Sequence, residues 1–270
     1  MANALIIFTP RSGSTIVSDL LSFKYNGVNL DEIFQGTVRE PLKTKLPQDI
    51  RKLIEINKIN ERRRQQSRKD QRDKYNLQNF TIHETCLALV KHCITKYPTI
   101  IKLYPTYKSF PGKALVEWAI DNNFEVYFTT RRNYEDQLYS YLLALQKARS
   151  FKEDVDQAFL NTNSSKERKF EPIAIPPPKV FDSLMTMYNI QMHWYAMSKM
   201  YGNYGKVIYY EDHLAEGRFH EIGVDQEMYN NYIKQELFLR PSPAYTVGEE
   251  ILNWPDIIEI ANKNFRMPYV

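Results

Sequence analysis

The chain is short of the residues that build covalent or metal-held scaffolds: it has two cysteines, Cys86 and Cys93, and five histidines in 270 residues. The cysteines stand seven apart in a stretch that reads as helix. That spacing puts them on one face but too far apart to bridge, so both are expected as thiols. There is no Cys-x-x-Cys, no Cys/His cluster and no His-Glu-x-x-His, which removes the common zinc signatures, and no metal site is expected. No run approaches the roughly 20 apolar residues that span a bilayer, so no membrane span is expected. The chain opens on the apolar stretch Ala4 to Phe8 rather than on a basic segment followed by a long apolar one, so a cytoplasmic location is expected over secretion. Strong charge of one sign is also lacking. A formal net charge of +4 is too small to argue for a nucleic-acid partner, yet it suits a pocket for an anionic ligand. The triphosphate loop Gly-x-x-x-x-Gly-Lys-[Ser/Thr] is absent, which disfavours an ATPase.

What is present is enough apolar material, 43% of the residues, to fill a large core. One domain over residues 1–270 is expected, with surface excursions at about 36–80 and 151–180. Ala4 to Phe8 reads as a strand, Thr9 to Gly13 as a turn, and Ser14 to about Phe23 as a helix with Ile16, Leu20 and Leu21 on its apolar side. Leu46 to Asn76 reads as a charged helix, His83 to Lys96 as a second and Ala114 to Asp121 as a short one. Strands are expected at Thr99 to Tyr104, Phe124 to Thr130 and Lys206 to Tyr210. The helix from Asn133 to Ala148 opens on a capping pair, Asn133 and Asp136. Phe151 to Lys179, rich in Asn, Ser and Pro, reads as an excursion, and Asp182 to Met200 as a helix. Alternating strands and helices predict an α/β fold: a P-loop-like three-layer sandwich on a mostly parallel sheet, with ligands at the strands' carboxyl ends.

Two strand-to-helix corners carry the chemistry. In Thr9-Pro-Arg-Ser-Gly-Ser-Thr15, backbone N–H groups at a helix start can cradle an anion, and Gly13 permits close approach. Arg11 offers a planar fork to a phosphate or sulfate, and Ser12, Ser14 and Thr15 add hydroxyls. The same residues also read as an ordinary strand–turn–helix with a Ser cap. At the second corner, Arg132 stands at a strand's carboxyl end and Ser140 about two turns into the next helix, a suitable clamp for a phosphate monoester. The competing reading is a helix-start arginine paired with Glu135 or Asp136.

The loop Pro10-Arg-Ser-Gly-Ser-Thr15 followed by Arg132-Asn-x-x-Asp-x-x-x-Ser-Tyr141 resembles the sulfotransferases that use 3′-phosphoadenosine 5′-phosphosulfate (PAPS). Ile101-Lys-Leu-Tyr-Pro105 is similar to the family's middle strand, and Ile208-Tyr-Tyr-Glu-Asp212 to a later one. The resemblance implies transfer of a sulfuryl group from PAPS to an acceptor hydroxyl on a small molecule, lipid, glycan or tyrosine, releasing PAP. It implies that Arg11, Ser12, Gly13, Ser14 and Thr15 hold the 5′-phosphosulfate and that Arg132 and Ser140 hold the 3′-phosphate. The histidine that one branch places two residues after the middle-strand lysine is replaced by Tyr104. A second branch, which shares the Pro-Arg-Ser-Gly loop, uses a glutamate shortly after the first helix, and Glu32 stands there with Asp31 as its rival. Glu32 is then the expected base, its pKa raised by apolar Ile33 and Phe34, with Arg11 and Lys102 stabilising the transferring group. Ile16 occupies the place of the family's adenine-stacking aromatic.

Lesser signals point elsewhere. The basic stretch from Arg62 to Lys74 reads as a solvated helix, interrupted by Asp70 and Asp73. His193, in a Met-rich helix beside Trp194, is expected to be buried and hydrogen-bonded. Glu211 and Asp212 are expected to orient loops rather than react. Two alternatives stay open beside the sulfotransferase: a nucleotide-dependent phosphotransferase and a catalytically silent PAP-binding module.

Overall fold

A segment such as Ala4-Leu-Ile-Ile-Phe8, apolar at every position, is what a strand needs when both of its faces are covered. The computed structural model describes residues 1–35, 38, 45–56, 84–105, 112–150, 172–215, 218–234 and 250–265, and it places this segment in β1 (Asn3–Phe8), buried throughout. With β2 (Val28–Asn29), β3 (Thr99–Leu103), β4 (Phe124–Thr130) and β5 (Gly205–Tyr209), it forms a five-stranded sheet in the order β2-β3-β1-β4-β5. Every pairing is parallel, where the sequence predicted a mostly parallel sheet. The helices are α1 (Ser14–Tyr25), α2 (Gln48–Ile56), α3 (84–94), α4 (Gly112–Asp121), α5 (Tyr134–Ser150), α6 (Pro177–Tyr201), α7 (Gln226–Ile233) and α8 (Trp254–Asn264).

The two-residue period of the strands divides the core. Leu5, Ile7, Ile101, Leu103, Val126 and Phe128 point to one face, where they meet Cys86, Val90 and Cys93 of α3, Leu115, Val116 and Ala119 of α4, and Trp194 of α6. Ala4, Ile6, Phe8, Ile100, Tyr127 and Ile208 point to the other, covered by Ile16, Val17, Leu20 and Leu21 of α1. A third cluster joins α5, α6 and α8 through Leu138, Leu142, Leu184, Met187, Trp254 and Ile257. The chain leaving β1 thus passes to one face through α1, whereas the chain leaving β3 passes to α4 on the opposite face. Between two adjacent strands whose exits diverge in this way, an open parallel sheet has a crevice at the carboxyl ends.

Both cysteines are fully buried free thiols on the inner face of α3. Among the described residues, no helix is long and apolar enough to cross a membrane. Several expectations shift. β2 has no counterpart in the sequence reading, because two residues carry no periodicity. His193 is exposed, not buried, since α6 turns Gln191 and Trp194 inward instead, and its Nδ1 lies 2.7 Å from Asn189 O one turn back. Residues 177–180, assigned to an excursion, form the first turn of α6 with Val180 buried. The charged helix is described only as Gln48–Ile56; the rest of it, with the basic stretch 62–74 and most of both excursions, lies outside the described residues.

Candidate functional site

The loop from Thr9 to Gly13 leaves the central strand, so its conformation is set from three sides. Arg11 (φ 60°) and Gly13 (φ 75°) both adopt the left-handed region, and Gly13 is the residue from which α1 starts. Glycine is needed there twice over, for its backbone and for its space. A Cβ on Gly13 would lie 2.3 Å from Leu214 Cδ1 and 2.8 Å from Tyr210 Cδ2, in the turn that follows β5. The first turn of α1 carries neither an acidic residue nor a side-chain cap. The positive end of the helix dipole is therefore not neutralised by its own first turn, which suits an anion.

The loop hydroxyls divide their roles. Ser12 is fully buried, with its Oγ 2.9 Å from Thr129 Oγ1 and its N–H donating to Thr9 O. Its side chain ties the loop to β4. Thr9 Oγ1 donates to Thr130 Oγ1 in the same way. Thr15, partly buried, turns its Oγ1 towards β3, where it accepts from Lys102 Nζ at 3.2 Å.

Lys102 pairs with Ile6 in the sheet register, which sends its side chain to the α1 face at the β1/β3 exit. It is 2% exposed and lies between two carboxylates, 2.8 Å from Asp31 Oδ1 and 3.1 Å from Glu32 Oε1, with Nζ 5.0 Å from the centre of the Phe8 ring. Asp31 is as buried as the lysine, whereas Glu32 is 28% exposed and is the carboxylate an incoming molecule can reach. Asp31 also adopts a left-handed backbone (φ 51°). Asn29 holds it there: its Oδ1 accepts the Asp31 N–H, and its Nδ2 donates to Ser18 Oγ and Asp19 Oδ1 of α1. Ile33 and Phe34 are buried as expected, but they do not make the surroundings of Glu32 apolar, because its carboxylate faces an ammonium group that favours the ionised form. Tyr104 packs on Phe8 at 5.4 Å. Burial, then the nearby Tyr141 and Glu32, holds its phenol well above the ordinary range, so it stays protonated at neutral pH and is no rival base.

The second corner is built differently from the expectation. Ser140 is buried and accepts from Arg11 Nε at 2.8 Å, which joins α5 to the loop. Arg132 turns instead to the exit of β5: its Nε and Nη2 donate to one oxygen of Asp212 at 2.9 and 2.6 Å, and its guanidinium lies 3.8 Å from the Tyr209 ring centre. The Arg132 bond holds the Asp212 carboxyl below the ordinary range. Glu211 accepts the backbone N–H groups of Arg132 and Asn133, and Asn133 Oδ1 accepts from Asp136 N–H, so the expected capping pair and the orienting role of Glu211 both appear. Arg131, 7% exposed, lies over the Tyr210 ring at 4.0 Å.

Sequence reasoning missed Gln137. It is fully buried on α5, its Nε2 donates to Thr9 Oγ1 and Pro10 O, and its Oε1 accepts from Gln191 of α6. A glutamine one turn into an apolar helix face was the available signal, because a buried amide needs partners on other elements. Among the described residues no group of His, Cys, Asp and Glu is arranged to hold a metal ion. No family model, no curated protein and no solved structure matches the chain.

Proposed function

We propose that the chain is a sulfotransferase that moves a sulfuryl group from PAPS to an acceptor hydroxyl, with Glu32 as the base. The observation that carries this reading is the chain of contacts Glu32–Lys102–Thr15 at the diverging exits of β1 and β3. It sets an accessible carboxylate, a buried cation and the loop that starts α1 side by side. PAPS would supply the sulfuryl group as a mixed anhydride of sulfate and phosphate; the residues of this chain bind and orient it and move one proton.

In this reading the start of α1, through the backbone around Gly13, Ser14 and Thr15, receives the 5′-phosphosulfate, and Arg11 adds a fork that Ser140 already orients. The acceptor oxygen attacks sulfur in line. Its proton passes to the Glu32 carboxylate, and the bond from sulfur to the bridging oxygen breaks with its electron pair leaving on PAP. Tyr104, protonated, cannot take that proton. Ser12 contributes loop shape rather than a ligand contact, because its hydroxyl already lies on Thr129.

Calorimetric titration with PAP, with ATP as the control, tests the donor half; PAP alone is expected to bind. Glu32→Gln tests the base: PAP binding should persist while PAPS turnover falls about 10²- to 10⁴-fold. Binding of neither nucleotide withdraws the sulfotransferase reading, and wild-type turnover in the variant withdraws Glu32.

A further inference from the structure

Arg132, which the sulfotransferase resemblance assigns to the donor's 3′-phosphate, already holds a carboxylate. Both Nε and Nη2 of Arg132 lie on a single oxygen of Asp212, and one face of the guanidinium is covered by the Tyr209 ring. The pair is not sealed: the Arg132 side chain is 50% exposed and that of Asp212 29%. The corner's shape does not depend on this pair alone, because Glu211 separately clips the N–H groups of Arg132 and Asn133.

We propose that Asp212 is a built-in competitor that sets donor affinity at this corner, holding Arg132 until a phosphate monoester displaces it. This inference rests on the sulfotransferase reading. A phosphate monoester carries about −1.5 to −2 charges and three acceptor oxygens, so it outbids a single carboxylate oxygen for the fork. A nucleotide with a 3′-hydroxyl brings no charge to that place and leaves the Arg132–Asp212 pair standing. The competitor therefore lowers affinity for the proposed donor and leaves a nucleotide without the 3′-phosphate unaffected, so the donor is held less tightly than Arg132 alone would hold it. Asp212 is suited to this because its carboxyl, held by Arg132 below the ordinary range, stays anionic at neutral pH. The Nε of Arg218 donates to the main-chain oxygen of Asp212 and anchors the competitor in place.

The test is titration of the full chain with PAP and with AMP, which differs from it only in lacking the 3′-phosphate, using wild type, Asp212→Asn, Arg132→Ala and the double variant. Asp212→Asn is expected to bind PAP roughly fivefold tighter, the scale of an exposed charge pair removed as competitor, with AMP unchanged. The gain should vanish when Arg132 is also alanine. Thermal melts confirm that folded proteins are compared, and Asp212→Ser serves if Asp212→Asn does not fold. If wild type binds PAP through Arg132 but Asp212→Asn binds it equally or more weakly, Asp212 orients the arginine and the competitor role is overturned while the donor reading stands. If no variant distinguishes PAP from AMP, the donor reading itself fails and takes the inference with it.

Discussion

Gly13→Ala is the sharpest test of how the loop is built. The alanine must adopt φ 75°, a left-handed conformation that costs an L-residue about 1–2 kcal/mol. Its methyl would also stand 2.3 Å from Leu214 Cδ1 and 2.8 Å from Tyr210 Cδ2, so the turn after β5 must retreat, an overpacking cost of about 1–3 kcal/mol. Together these amount to roughly 2–5 kcal/mol, which for a chain of this length lowers the melting temperature by roughly 5–15 °C. The two parts separate in a cycle with Leu214→Ala, measured by thermal and denaturant unfolding. Leu214 is 1% exposed, so its own truncation costs about 2–5 kcal/mol. In the double variant the clash with Leu214 is gone but the backbone strain remains, so the double should be more stable than the sum of the singles by about 0.5–3 kcal/mol. A Gly13→Ala protein that melts with wild type would refute both parts of the reasoning. Strict additivity would refute the contact with Leu214 and leave the backbone argument alone.

Lys102→Met leaves Asp31 buried without its cation and should destabilise the fold by about 3–5 kcal/mol. Adding Asp31→Asn should recover part of that loss in the same denaturant assay; an unchanged loss would mean that the pair is not what holds Lys102. Cys86 and Cys93 should both resist a thiol reagent until the chain unfolds, since each is fully buried. Burial pushes the Cys93 thiol up from 9.0 to about 12. The unfolded chain therefore ionises first, and the contribution of Cys93 to stability, full below pH 9, is lost as pH rises towards 12. Rapid labelling of the native protein at pH 8 would contradict the placement of α3.

The parts legible in the sequence are those with a period or a punctuation mark. Ala4 to Phe8, with no polar residue, could only be a strand covered on both faces, and Phe124 to Thr130 was recognised at its exact bounds. The Pro-Arg-Ser-Gly turn marked the loop, and Asn133 with Asp136 marked the start of α5. Strand order was not legible, because it depends on which parallel neighbours the crossovers reach, and β2 is too short to show any pattern. The partners of charged side chains were equally hidden. Nothing local to Arg132 says that Asp212, eighty residues on, will hold it, and the helix-start carboxylates Glu135 and Asp136 were the only candidates in view. The pairing of Ser140 with Arg11 rather than Arg132 is of the same kind, a consequence of β4 lying beside β1.

The contacts of Lys102 bear on how base and electrophile would be coupled. Lys102, Asp31 and Glu32 together carry one net negative charge when all three are ionised. Asp31, buried at 2.8 Å, already balances the lysine, so Glu32 at 3.1 Å is the surplus carboxylate. Its attraction to Lys102 favours the ionised state that a base must start from, and opposes taking up a proton. That opposition eases if charge develops elsewhere within reach of the same ammonium group. The proposed transfer develops such charge on donor oxygens held near Thr15, which Lys102 touches at 3.2 Å. In the proposed reaction the proton moves onto Glu32 as negative charge appears at the loop, and the lysine exchanges one anionic partner for another without moving far. The cluster's charge becomes neutral at the moment the loop's charge grows, so a fixed buried lysine serves the base before transfer and the leaving group during it. Exchanging Lys102 for methionine together with Asp31 for asparagine would restore the cluster's wild-type net charge without restoring this exchange, and turnover should then stay low even where stability returns.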